Sequence, residues 1–171
     1  MKLYVIRHAA AIESDTAVRD EDRWLTPAGR KVFRKNARRL AGKGVAPECI
    51  ITSPLARAVQ TAEILAAAID FQGEILVSRE MAPGFDVEGL LRLIAANGMP
   101  HSLAIVGHEP DLGALAGRLL GRKEALPLGK GAIVALKFAP AKREAPACFR
   151  WLIHRGDITR DLPGSAVARL N

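Results

Sequence analysis

Four places in this chain set chemistry-bearing side chains at the ends of short apolar runs: Arg7-His8, Ser53 with Arg57 four residues on, Glu80, and His108. Two arginines and two histidines suit a dianion such as a phosphoryl group. The planar guanidinium fork matches phosphate oxygens, and several such donors hold an oxygen triad while its charge redistributes. A histidine in that company is more than a counter-charge. Neutral imidazole is a nucleophile, so one ring nitrogen of His8 can attack phosphorus while the other is held by a backbone carbonyl.

The elements that must bring these groups together are legible from periodicity and punctuation. Residues 2–6 are a short run rich in aromatic and β-branched side chains, which reads as an interior strand. Cys49-Ile50-Ile51-Thr52, Glu74-Ile75-Leu76-Val77 and Leu103-Ala104-Ile105-Val106 repeat that pattern. Helices are predicted between them. Thr26-Pro27 supplies a cap and an N1 proline for a helix to about Lys43, stopped by Gly44. Ser53-Pro54 repeats the capping pattern for a helix to about Ile69, Asp86 caps another ending near Asn97-Gly98, and Gly107-His108-Glu109-Pro110 turns into one ending near Leu120.

Strands alternating with helices argue for a mainly parallel sheet covered on both faces. All the named groups then lie along one edge, where ligands bind in such sheets. Arg57 falls in the first turn of its helix, pointing back toward an N-terminus whose dipole favours an anion. Residues 132–138 and 148–154 read as two further strands, a hairpin or edge pair on the same sheet joined by a polar, proline-containing loop.

With 171 residues the chain suits one domain, residues 1–171, with a real core. It shows no signal peptide and no run long enough to cross a bilayer, so a cytoplasmic protein with no membrane partner is expected. Cys49 and Cys148 form no CxxC pair and read as free, mostly buried thiols. The four histidines include no HExxH pair, so no metal site is expected. Glu13, Asp15, Asp20, Glu21 and Asp22 alternate with Ser14, Arg19 and Arg23 and read as a solvated loop rather than a cation site. The net charge of +7 favours anionic partners. Arg30, Lys31, Arg34, Lys35, Arg38 and Arg39 form one basic stripe, read first as a solvated helix face and alternatively as a docking surface for an acidic phosphoprotein. Nucleic acid is not an expected partner, since aromatics are 5% and none interrupts the stripe to stack a base.

Three segments carry a family resemblance. Arg7-His8-Ala9 resembles the RHG signature of the histidine phosphatase superfamily, residues 53–62 (SPLARAVQTA) resemble its second motif, and Val106-Gly107-His108-Glu109-Pro110 its third. The short length, with no large insertion after Glu80 for a capping subdomain, resembles the SixA-type phosphohistidine phosphatases. The resemblance implies a phosphoglycerate mutase-like αβα sandwich, no cofactor, no metal, His8 as the phosphorylated nucleophile, and Arg7, Arg57 and His108 as the phosphate pocket. It further implies Glu80 as the general acid and Arg23 as an additional phosphate-pocket arginine. Glycine of the RHG signature is Ala9 here, which requires a negative φ. The expected activity is a phosphatase acting on protein phosphohistidine; alternatives are a phosphatase of a small phosphate ester and a non-catalytic phosphoprotein-binding module.

Overall fold

A computed structural model describes residues 1–14, 17–141 and 146–163. Asp15, in the acidic run noted above, lies outside the described residues, as do part of the loop before Cys148 and the end of the chain. The elements follow the predicted alternation: β1 (Lys2–Arg7), α1 (Pro27–Ala41), β2 (Cys49–Thr52), α2 (Ala56–Ala68), β3 (Ile75–Val77), α3 (Val87–Ala96), β4 (Ser102–Gly107) and α4 (Asp111–Leu119). β5 (Ile133–Lys137), β6 (Cys148–His154) and β7 (Asp157–Thr159) complete one sheet of order β3-β2-β4-β1-β5-β6-β7.

The first four strands are mutually parallel and the last three run antiparallel, so β1 is the seam between two halves. The 132–138 and 148–154 segments form the expected antiparallel hairpin pairing, β5 with β6, but not at the edge of the sheet. β5 pairs directly with β1, and β7, which the sequence did not announce, takes the edge. Its tight connection to β6 places Arg155 and Gly156 at φ of 52° and 87°, the left-handed twist that suits a two-residue hairpin turn.

Period-two alternation along β1 divides the core. Leu3 and Val5 join Leu90, Ile94, Leu112 and Leu115 on the α3/α4 face. Tyr4 and Ile6 join Phe33, Leu40 and Leu65 on the α1/α2 face. Leu3, Val5 and Ile6 are fully buried, each worth about 1.5–3 kcal/mol by removal from water. That burial on both faces fixes the register that carries Arg7 and His8 to the sheet edge.

Helix starts behave largely as the sequence predicts. Thr26 accepts a hydrogen bond from the Gly29 amide at 3.0 Å, and Asp86 from the Gly89 amide at 2.9 Å. α1 ends two residues sooner than expected, at Ala41. Gly29 itself is a packing requirement, because a Cβ there would stand 2.1 Å from the Ala10 carbonyl oxygen. Ser53 does not cap α2: the helix begins later, after Leu55, with no side-chain cap. Both thiols are free; Cys49 is half-buried, but Cys148 is exposed rather than mostly buried as expected.

Candidate active site

His8 follows β1 with both backbone groups committed. Its N–H donates to the Gly107 carbonyl at 3.0 Å, extending the β4 ladder, and its carbonyl accepts from the Gly131 amide at 3.0 Å, extending contact toward β5. Ala9 is buried, its φ is not positive, and its N–H donates to Thr61 Oγ1 of α2 at 3.1 Å. The methyl group that replaces glycine is therefore accommodated. His8 Nδ1 lies 2.7 Å from the Ala9 carbonyl. A carbonyl only accepts, so Nδ1 carries the proton and Nε2 keeps its lone pair in the neutral ring.

His108 stands immediately after β4, its ring centroid 5.2 Å from that of His8. Its Nε2 is 2.7 Å from Ser53 Oγ. The Ser53 hydroxyl thus leaves helix capping for a ring nitrogen, accepting only a long 3.4 Å bond from the Leu55 amide. His8 is 8% exposed and His108 6%. Burial lowers the His8 pKa to about 3, aided by His108, Arg57 and Arg7 and opposed by the Ala9 carbonyl. Burial likewise lowers His108 to about 4, with Arg57 adding to it and Asp20 and Asp111 opposing. Both rings are neutral near pH 7.

The arginines approach from three elements. Arg7 donates through Nη1 to the Leu128 carbonyl at 2.6 Å. Arg57, in the first turn of α2 and 6% exposed, donates to the Asp20 carbonyl at 2.5 Å and the Asp20 carboxylate at 3.0 Å. Arg23 donates to that same carboxylate at 2.8 Å and, through Nε, to the Ile12 carbonyl at 2.8 Å. Asp20 opens a single 3-10 turn, Asp20–Asp22, and its carboxyl is held below the ordinary range by Arg23 first and Arg57 after it. Two polar atoms here, Arg7 Nε and His108 Nδ1, are buried with no hydrogen-bond partner.

Glu80 sits in a short turn, Arg79–Met81, and its carboxylate pairs with Arg92 of α3 at 2.7 Å. Arg7, His8, Arg57 and His108 are brought together, and Arg23 joins them through Asp20.

The sequence reading missed several participants. Asp20 stands in a run whose composition suggests a solvated loop, and Ser53, already among the strand-end groups, bonds His108 rather than capping its helix. Asn36, fully buried in α1, donates to the Gly131 carbonyl at 2.8 Å and accepts from the Gly156 amide at 2.7 Å, tying the loop behind His8 to the β6–β7 turn. His154 ends β6 on the same edge, because Ile153 pairs with Ile133 and Ile133 with Ile6; burial, then the Arg155 and Arg7 charges, lowers its pKa. An asparagine on the apolar side of α1 was the available signal for Asn36.

Residues 3–90 match the family model of the histidine phosphatase superfamily, branch 1, and the chain belongs to that superfamily. An uncharacterized protein of Picosynechococcus sp. (strain PCC 7002) is 36% identical over 149 residues, 85% of this chain and 90% of that protein. Within the superfamily the chain is of the SixA type. The structure of the protein histidine phosphatase SixA complexed with tungstate superposes with a TM-score of 0.79 at 25% identity, covering 91% of this chain and 97% of that one. A SixA-type protein from Agrobacterium tumefaciens gives 0.70 at 28% identity, covering 79% and 90%. A mycobacterial glucosyl-3-phosphoglycerate phosphatase shares the fold, with a TM-score of 0.63 at 18% identity over 86% and 96%. Membership makes the chain an enzyme of the phosphatase class, with a phosphorylated substrate.

Proposed function

We propose that this chain hydrolyses protein phosphohistidine in two in-line steps, through a phosphoryl group carried on His8. In the first step the His8 Nε2 lone pair forms a bond to phosphorus as the bond to the substrate's imidazole nitrogen breaks, and that imidazole leaves with a proton. In the second, water attacks phosphorus, the bond to Nε2 breaks, and phosphate departs. One observation carries the reading: a buried, neutral His8 whose Nδ1 is spent on the Ala9 carbonyl, leaving Nε2 as the reacting atom.

The surrounding groups support it. With the Ser53 hydroxyl donating to Nε2, His108 carries its proton on Nδ1, a buried N–H whose partner would be a phosphoryl oxygen. Arg7 Nε is a second such donor. Arg57 and Arg23 supply further positive charge, tempered by Asp20. These side chains provide the charge stabilisation that a metal ion would otherwise give, so activity is metal-independent in this reading. An imidazole leaving group, protonated, departs with little help. Glu80 would serve as acid only for a poorer leaving group, after releasing Arg92.

The test compares a phosphohistidine peptide with an aryl phosphate, with and without a chelator. His8→Ala abolishes turnover of both and the chelator changes neither; Glu80→Gln slows the aryl ester while sparing the phosphohistidine peptide. Activity surviving His8→Ala would refute the covalent step. Turnover of the aryl ester but never of phosphohistidine would refute the substrate.

A further inference from the structure

At the end of the sheet opposite His8, beyond the last turn of α1, lies a groove of about 1080 Å³. Lys2, Lys43, Lys137, Arg150 and Arg160 line it, and among the described residues no aspartate or glutamate does. None of these five cations forms an ion pair with a described residue; the ion pairs of the described residues all lie elsewhere. Lys2 and Lys137 are moreover direct cross-strand partners on β1 and β5. Like charges placed opposite one another destabilise a strand pair, so the arrangement costs the isolated protein stability that an anionic partner would restore.

The groove is also joined to the catalytic edge by charge. α1 begins where Thr26 bonds the Ala10 carbonyl, two residues past His8, and ends beside Lys43. Its exposed side carries Lys31, Arg34, Lys35 and Arg38 over about 10 Å in the middle of a helix roughly 22 Å long. From Lys2 to His8 the strand itself covers about 20 Å. A small phosphorylated molecule cannot span that length, whereas a folded protein can.

We propose that this groove and the α1 stripe dock a carboxylate-rich segment of the phosphoprotein substrate, remote from the phosphorylated residue. The assignment rests on the proposed protein substrate and adds to it the means of recognition. Carboxylates fit better than a nucleic acid because the rings are already engaged. Tyr4 is buried and stacked on Trp151 at 6.0 Å, and the Lys43 ammonium lies 5.4 Å from the Trp151 ring centre. Little aromatic face is left on which a base could stack, so recognition falls to the cations.

The test uses the double variant Lys137→Glu/Arg150→Glu, neither position touching the catalytic cluster. Against an aryl phosphate its kcat/KM equals that of the wild type, which also reports an intact fold. Against a phosphohistidine-bearing protein with an acidic surface, KM rises by roughly tenfold with kcat unchanged, and the effect fades in high salt. A separate arm needs no turnover. Trp151 fluorescence, read in a Trp24→Phe background, follows binding of a twelve-residue poly-glutamate peptide, which weakens by a similar factor in the double variant. An unchanged KM together with unchanged peptide binding would overturn the proposal. So would tighter binding of a single-stranded oligonucleotide of equal charge. If the wild type turned over no phosphohistidine protein, the proposed activity would fall, while the fluorescence arm would still decide whether the groove binds an acidic segment.

Discussion

Replacing His8 by asparagine removes a titrating ring while keeping an N–H donor about where Nδ1 meets the Ala9 carbonyl. The effect on stability follows from burial. In the unfolded chain a histidine has a pKa near 6.5; in the folded protein His8 is held at about 3 and His108 at about 4, burial being the largest cause for each. The unfolded state therefore binds more protons at any pH between those values, and stability falls as pH falls. It is undiminished above about pH 6.5, declines by about 1.4 kcal/mol per pH unit for each ring below it, and levels off as the folded-state values are reached. At pH 5 each ring has cost the native state about 2 kcal/mol. Urea unfolding of the wild type at pH 7 and pH 5 should show a loss of about 4 kcal/mol from the pair, and the His8→Asn variant a loss smaller by about 2 kcal/mol. Other groups titrate alike in both proteins and cancel in the comparison. Equal losses in the two proteins, or a His8 ring seen by NMR to titrate near pH 6.5, would refute a buried neutral nucleophile. The same burial predicts that phosphoenzyme formation in a single turnover persists at pH 5, where an ordinary histidine would be almost wholly protonated.

Ser53→Ala deprives the buried His108 Nε2 of its partner, so urea unfolding should report a loss of about 1–3 kcal/mol, with a fall in kcat as the ring loses the hydroxyl that fixes its tautomer. Asn36→Ala leaves the Gly131 carbonyl and the Gly156 amide unpaired; a thermal melt should drop by roughly 5–10 °C, and Asn36→Asp, which sets a buried carboxylate against the Gly131 carbonyl, should drop at least as far. Gly29→Ala drives a methyl group into the Ala10 carbonyl and should cost about 3 kcal/mol by calorimetry.

Much of this molecule was legible because its signals are local. Alternation within β1, the Thr26 and Asp86 caps, and the groups placed just past the strand ends each involve residues a few positions apart. The sheet edge that collects Arg7, His8, Arg57 and His108 follows once the first strands are parallel. What was not legible depends on pairs distant in sequence. Ser53 had two chemically sensible uses for one hydroxyl, and only the approach of β4 to β2 decides for His108. Asp20 is separated from Arg57 by 37 residues, and in the sequence it is indistinguishable from its acidic neighbours. Asn36 bridges Gly131 and Gly156, 95 and 120 residues away. β7 is a three-residue strand, too short for its alternation to stand out, and it forms because the Arg155-Gly156 turn returns the chain onto β6.

The seam position of β1 separates two kinds of motion. His8 is laced into a parallel ladder on one flank and the approach to an antiparallel one on the other, so its amide should exchange with solvent only when the whole sheet opens. Arg23 and Asp20 ride instead on the connection between β1 and α1, fastened to the rest by the isolated bridge of Ala11 with Leu25 and by a handful of side-chain bonds. Their opening free energy is expected at the low end of the scale. Under the proposed mechanism Arg23 and Asp20 would yield to a bulky incoming surface and close on its phosphoryl group, while His8 stays where the sheet holds it.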